Sequence, residues 1–146
     1  IMSTLERAIE IARQAHVGQV DKGGADYIGH PLRVMEMGRT EEEKIVSVLH
    51  DVVEDSEWTF EMLEAEGFSS EIIDALRCVT KLSEDEDYDH FLNRVKGNRL
   101  ALKVKLCDLV DNLDISRIKE PTDSDIKRTK KYARAYAFIK KAISKI

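Results

Sequence analysis

Leu100-Ala101-Leu102-Lys103-Val104-Lys105-Leu106-Cys107-Asp108-Leu109-Val110-Asp111-Asn112-Leu113 sets apolar residues on almost every side of a 3.6-residue helix. Such a segment is enclosed by other helices rather than laid along a surface, so the remainder of the chain must wrap it. Asp108 stands at its middle, one turn before Asn112. A buried carboxylate is paired, protonated or bound to a cation, because leaving it bare in an apolar interior costs at least several kcal/mol. A lysine of the same run, Lys103 or Lys105, answers that demand as an ion pair; a metal answers it as a ligand site.

Upstream, Ile45-Val46-Ser47-Val48-Leu49-His50-Asp51-Val52-Val53-Glu54-Asp55 poses the same problem. Read as one helix from about Glu41 to Val53, it puts His50 and Glu54 on one face, with Asp51 and Asp55 on the adjoining one. His30, ahead of Pro31 at another helix start, adds a second imidazole. His30, His50, Asp51 and Asp108 form a mixed nitrogen and oxygen donor set suited to Mn, Fe, Zn or Mg with positions left for water and substrate. Glu54 and Asp55, left over beside it, suit proton transfer. Each signal alone has a plain structural reading: a core histidine, an ion pair, a solvated helix end.

The flanking segments carry the same helical period. Ser3-Thr4-Leu5-Glu6 has the form of a capping box, and Leu5, Ala8, Ile9, Ala12 and Ala15 form one stripe of a helix ending near His16. A glycine-bearing loop covers Val17 to Ile28, and a short helix runs from His30 to Met37. Thr59 caps a segment that stops at Gly67, and Ser69 or Ser70 caps another reaching Thr80. The charged stretch Ser83–Asp89 reads as a loop, followed by helices over about Tyr88–Lys96, Arg99–Ile115 and Ser124–Ile146. The expected architecture is all-α: a compact single-domain bundle of about eight helices over residues 1–146, without a strand pair.

Lys+Arg 23 against Asp+Glu 28 gives a formal net charge of −5, with 42% hydrophobic and 35% charged residues. That composition belongs to a folded globular chain, and 146 residues fit one core. The acidic balance excludes duplex nucleic acid as a partner, since phosphate neutralisation supplies that affinity. A small anionic ligand stays compatible, because a metal or a few local cations override the global sign. No run approaches the ~20 apolar residues of a membrane helix, so no membrane partner is expected. Cys78 and Cys107 lie in apolar runs without C-x-x-C spacing and read as buried thiols of a reducing cytoplasm. Ile1 ahead of Met2 reads as a residue added before the natural start.

Gly18-Gln19, Lys22, Tyr27-Ile28-Gly29-His30-Pro31, His50-Asp51-Val52-Val53-Glu54-Asp55, Thr80-Lys81-Leu82 and Val104-Lys105-Leu106-Cys107-Asp108 with Asn112 occur in that order. Together they resemble the HD-superfamily hydrolase domain of the RelA/SpoT alarmone enzymes, in the form of a stand-alone small alarmone hydrolase. The resemblance implies an HD-type helical bundle in which His30, His50, Asp51 and Asp108 bind one divalent ion, usually Mn²⁺. It implies that Glu54 and Asp55 position or deprotonate the attacking water, and that Lys22, Lys105, Asn112 and Tyr132 serve the nucleotide. The implied reaction removes pyrophosphate from the 3′ position of guanosine 3′,5′-bis(diphosphate). The chain is too short to include the synthetase or regulatory domains of the long enzymes, so a lone hydrolase domain, monomeric or homodimeric, is expected.

Asp21 stands where the family usually has arginine, and Leu109, Asp111 and Asp114 stand where basic residues are common. Fewer cations favour, as alternatives, an HD phosphohydrolase acting on another nucleotide or phosphoester, or a binding module in which Asp111 and Asp114 repel anions and nothing turns over.

Overall fold

A computed structural model describes residues 3–146. Ile1 and Met2, and with them the reading of Ile1 as an added residue, lie outside the described residues. The chain forms helices α1 (Leu5–Ala15), α2 (Gly29–Met37), α3 (Glu41–Leu49), α4 (Val52–Asp55), α5 (Phe60–Ala65), α6 (Ser70–Val79), α7 (Tyr88–Lys96), α8 (Arg99–Leu113) and α9 (Asp123–Ile143). Among the described residues the β structure is one isolated antiparallel pair, Val20 with Asp26. The all-α expectation holds.

The α8 segment is the axis: α2, α3, α6, α7 and α9 all pack against it. Leu102 and Leu109 are buried there with Leu49 of α3, Leu76 of α6 and Ile139 of α9. α1 closes the bundle over α3 with Ala8, Ile11 and Ala12 at zero exposure. Cys78 and Cys107 are free thiols and only half-buried, less enclosed than their apolar neighbours suggest.

Three local differences from the sequence reading have physical reasons. Thr4, not Ser3, caps α1, its hydroxyl accepting the Arg7 N–H at 3.2 Å, while the Ser3 N–H is drawn to the Gly67 carbonyl. A reciprocal capping box occurs instead at α9, where Thr122 and Asp125 satisfy each other's backbone N–H groups; an Asp in the fourth place hides it from a search for Glu or Gln. The expected helix Glu41–Val53 breaks after Leu49 and restarts at Val52. The Ser47 carbonyl accepts both the His50 backbone N–H (3.5 Å) and His50 Nδ1 (2.5 Å), so the chain tightens into a turn there. Asp51 sits in that turn at φ −106°, ψ 0°, off the regular helical track.

Candidate metal centre

The break between α3 and α4 aims the site. His50 ends α3, Asp51 occupies the turn, His30 comes from the first turn of α2 and Asp108 from the middle of α8. Atoms of His30, His50 and Asp51 lie within 4.8 Å of one another. Asp108 joins through Oδ1, 2.9 Å from His30 Nε2 and 3.2 Å from His50 Nε2. Asp51 Oδ2 is 3.0 Å from His50 Nε2 and 3.8 Å from His30 Nε2. Donors bonded at about 2.0–2.2 Å to one ion stand roughly 3 Å or more apart, and the four separations above, 2.9 to 3.8 Å, are of that order.

The protons of the two rings sharpen the point. His50 Nδ1 faces the Ser47 carbonyl and His30 Nδ1 lies 2.6 Å from Asp111 Oδ2, so each Nδ1 carries the hydrogen these acceptors require. In the neutral rings both Nε2 atoms then present lone pairs toward carboxylates. A cation at their meeting point, or a proton on each ring, is needed to relieve this. Burial lowers the affinity of both imidazoles for a proton, but Asp108 and Asp111 around His30, and Asp51 and Asp108 around His50, raise both above the usual histidine value. Burial likewise pushes Asp51 up, and His50 outweighs it, holding the carboxyl at about 2. The donor set therefore demands positive charge from whichever source is available, and a divalent ion fits it.

Asp108 is fully engaged. Lys105 Nζ meets Oδ2 at 2.7 Å, and Asn112 Nδ2 donates to Oδ1 at 3.1 Å. The ion pair and the ligand role are both available to this residue, one per oxygen. Tyr27 donates its hydroxyl to Asp51 Oδ2 at 2.5 Å, and burial with the Asp51 charge keeps that phenol protonated. Tyr27 was legible only as part of the quoted Y-I-G-H-P run; nothing in its spacing announces a bond to a residue 24 positions on.

The centre opens into a cavity of about 620 Å³, onto which Glu54, Lys22, Lys105, Asn112 and Tyr132 all face. Asp55 does not line it; its backbone carbonyl accepts from the Gln19 side chain at 2.9 Å. Burial, with the Asp51 and Glu54 charges, raises the Asp55 carboxyl to about 6. Glu54 Oε1 accepts the Lys81 N–H at 3.3 Å. Lys81, Arg128 and Lys131 add cations to the wall.

The acidic departures take other positions than expected. Asp21 builds the loop, its Oδ1 accepting the Gly23 and Ala25 N–H groups at 2.9 and 3.0 Å. Gly24 turns there at φ +85°, a region that suits glycine. Leu109 is wholly buried in the core. Asp111 lines the cavity but is buried under His30, Arg33 and Arg117, so its charge is paired rather than left bare to repel anions. Asp114 is half exposed and paired to Arg117 at 3.2 Å.

No family model matches the chain. Among curated proteins, a Spiroplasma citri guanosine-3′,5′-bis(diphosphate) 3′-pyrophosphohydrolase is 38% identical over 127 residues, covering 77% of this chain. The Aquifex aeolicus protein of the same name is 31% identical over 120 residues, covering 75%. This chain spans 17% of the length of each. A solved metazoan ortholog of SpoT, described as hydrolysing ppGpp, superposes with a TM-score of 0.79 at 21% identity, over 97% of this chain and 92% of that one. That last likeness speaks for the fold alone.

Proposed function

The chain belongs to the RelA/SpoT family through its HD-type hydrolase domain, and on that footing we propose that it is a metal-dependent nucleotide pyrophosphohydrolase acting on guanosine 3′,5′-bis(diphosphate). The products are pyrophosphate from the 3′ position and GDP, or GTP from the corresponding pentaphosphate. The observation that carries this reading is the meeting of two imidazole Nε2 atoms and two aspartates on the wall of a nucleotide-sized cavity.

His30, His50, Asp51 and Asp108 would hold one divalent ion, Mn²⁺ by the family likeness. When bound, such an ion lowers the pKa of water and offsets charge on phosphoryl oxygens. Tyr27 orients Asp51, while Lys105 and Asn112 orient Asp108. Glu54 takes the proton of the attacking water on Oε2, since Oε1 is occupied by the Lys81 N–H. Asp55, outside the cavity lining, acts on Glu54 and Asp51 through its charge. Lys22 and Tyr132 contact the nucleotide, while Lys105, spent on Asp108, contributes field more than a contact of its own. The residues from 3 to 146 work as one hydrolase domain, and the two free thiols suit a reducing cytoplasm.

Incubating Mn²⁺-loaded protein with guanosine 3′,5′-bis(diphosphate) and separating the products tests this. Release of pyrophosphate and GDP is expected; intact substrate at high enzyme concentration defeats the assignment. A second reading, another nucleotide or phosphoester as substrate, is favoured by Asp21 and Leu109, which put no cation into the cavity where basic residues are usual. A nucleotide panel separates the two. Glu54→Gln and Asp55→Asn separate both from a binding module, which has no turnover to lose.

A further inference from the structure

The densest ionic cluster beside the metal centre lies behind His30. Asp111 Oδ2 takes the His30 Nδ1 hydrogen at 2.6 Å, and the same carboxylate is gripped by Arg33, with Nε on Oδ1 at 2.7 Å and Nη2 on Oδ2 at 3.1 Å. Arg117 adds Nη2 at 3.4 Å from Oδ1 and 3.2 Å from the Asp111 backbone carbonyl. The side chain of Asp111 is 5% exposed. A bidentate guanidinium fixes the plane of a carboxylate, and a fixed carboxylate fixes the ring it accepts from.

We infer that Asp111, clamped by Arg33 and Arg117, is a positioning residue that holds His30 in the tautomer and orientation directing Nε2 into the metal centre. The inference rests on the metal reading proposed above and extends it to a residue whose sequence position suggested the opposite role. It also explains how an acid is accommodated where a cation is usual. The charge of Asp111 is absorbed by two arginines, one from α2 and one from the loop after α8, so at the edge of the cavity it ties those elements to the ligand. His50 needs no such carboxylate, because the Ser47 carbonyl of its own helix turn does the same work.

The test uses metal alone and the metal-free protein, so it is independent of the substrate. Mn²⁺ and Zn²⁺ affinities are measured for the wild type, Asp111→Ala and Asp111→Asn, with circular dichroism as the fold control. Ring N–H resonances are followed by NMR in the same proteins. Loss of such an outer carboxylate is expected to weaken metal binding roughly 10–100-fold. Asp111→Asn, which keeps an oxygen for the Nδ1 hydrogen, is expected to recover part of that loss. The downfield His30 Nδ1–H signal should vanish in Asp111→Ala, while that of His50, held by Ser47, stays as an internal reference.

Wild-type affinity and an unchanged His30 signal in folded Asp111→Ala would overturn the inference, as would an Asn variant no better than Ala. If Asp111→Ala does not fold, Asp111→Asn against wild type decides: a retained His30 Nδ1–H with modestly reduced affinity supports it, and a lost signal with unaltered affinity overturns it. Wild-type protein that binds neither metal would defeat the metal reading, and the His30 signal in metal-free protein would still decide the positioning role.

Discussion

Two carboxylates in this molecule are nearly equally buried and have opposite surroundings. Glu86 and Asp108 keep side-chain exposures of 4% and 6%. Glu86 meets only groups able to donate: the Leu82 N–H and Arg94 Nη2 on Oε1, and Arg94 Nε with His90 Nδ1 on Oε2, all between 2.6 and 2.8 Å. Asp108 has Lys105 on one oxygen, while its other oxygen takes the Asn112 amide at 3.1 Å and also faces the Nε2 atoms of two imidazoles whose Nδ1 hydrogens are committed elsewhere. Burial of an acid is therefore not what marks a site. The direction in which the neighbouring protons point does: the first cluster is closed, and it staples the 80–87 loop to α7, while the second asks for a cation.

The contrast is broken most forcefully at Asp108. Asp108→Asn keeps the shape and the Asn112 contact but removes the charge, and is expected to lower metal affinity by more than the roughly 100-fold upper figure for outer-sphere losses, with hydrolysis falling in parallel. Elemental analysis of the purified, folded variant checks this, and full metal occupancy would remove Asp108 from the ligand set. A binding energy also reads out as stability. Mn²⁺ at about 100 times its dissociation constant should stabilise the wild type by about 2.7 kcal/mol, roughly 5–10 °C in Tm for a domain of this size. Chelator abolishes the shift, Asp108→Asn never shows it, and Glu86→Gln shows it in full if the two clusters are separate in function.

Much of this is legible in the amino-acid sequence. The enclosure of α8, the capping threonine at α5 and the serine at α6 follow from periodicity and side-chain chemistry, and they agree with the structure. The four donors were legible as a set because imidazole and carboxylate in apolar runs are costly without a partner. The break after Leu49 was not, because it depends on a histidine ring competing for a carbonyl three residues back, which no hydrophobic pattern encodes. Nor was the role of Asp111. Its partners His30 and Arg33 lie 81 and 78 residues away, and from sequence a buried clamp and an exposed repelling charge look the same. Asp55 illustrates the converse: helical spacing put it beside the site, and the altered turn sets it off the cavity wall.

The closed cluster makes smaller and different predictions. Arg94 first, with the Leu82 N–H and His90, holds the Glu86 carboxyl down to about 2 against the effect of burial. A group with a lowered folded-state value stabilises while ionised, so its contribution is complete above the unfolded glutamate value near ~4.3 and is lost as pH falls toward 2. Glu86→Gln should therefore cost about 2 kcal/mol at neutral pH. The gap to wild type should close on acidification through that window, read by denaturant unfolding at a series of pH values. A gap that instead widened toward acid would mean that the ionised glutamate is not what stabilises the loop. The least effect belongs to His90→Ala. His90 shares Oε2 with Arg94, yet its side chain is 60% exposed, and water replaces its hydrogen bond once it is removed. Screening limits such a pair to under about 1 kcal/mol. A larger loss on thermal unfolding would show that the cluster needs all its donors.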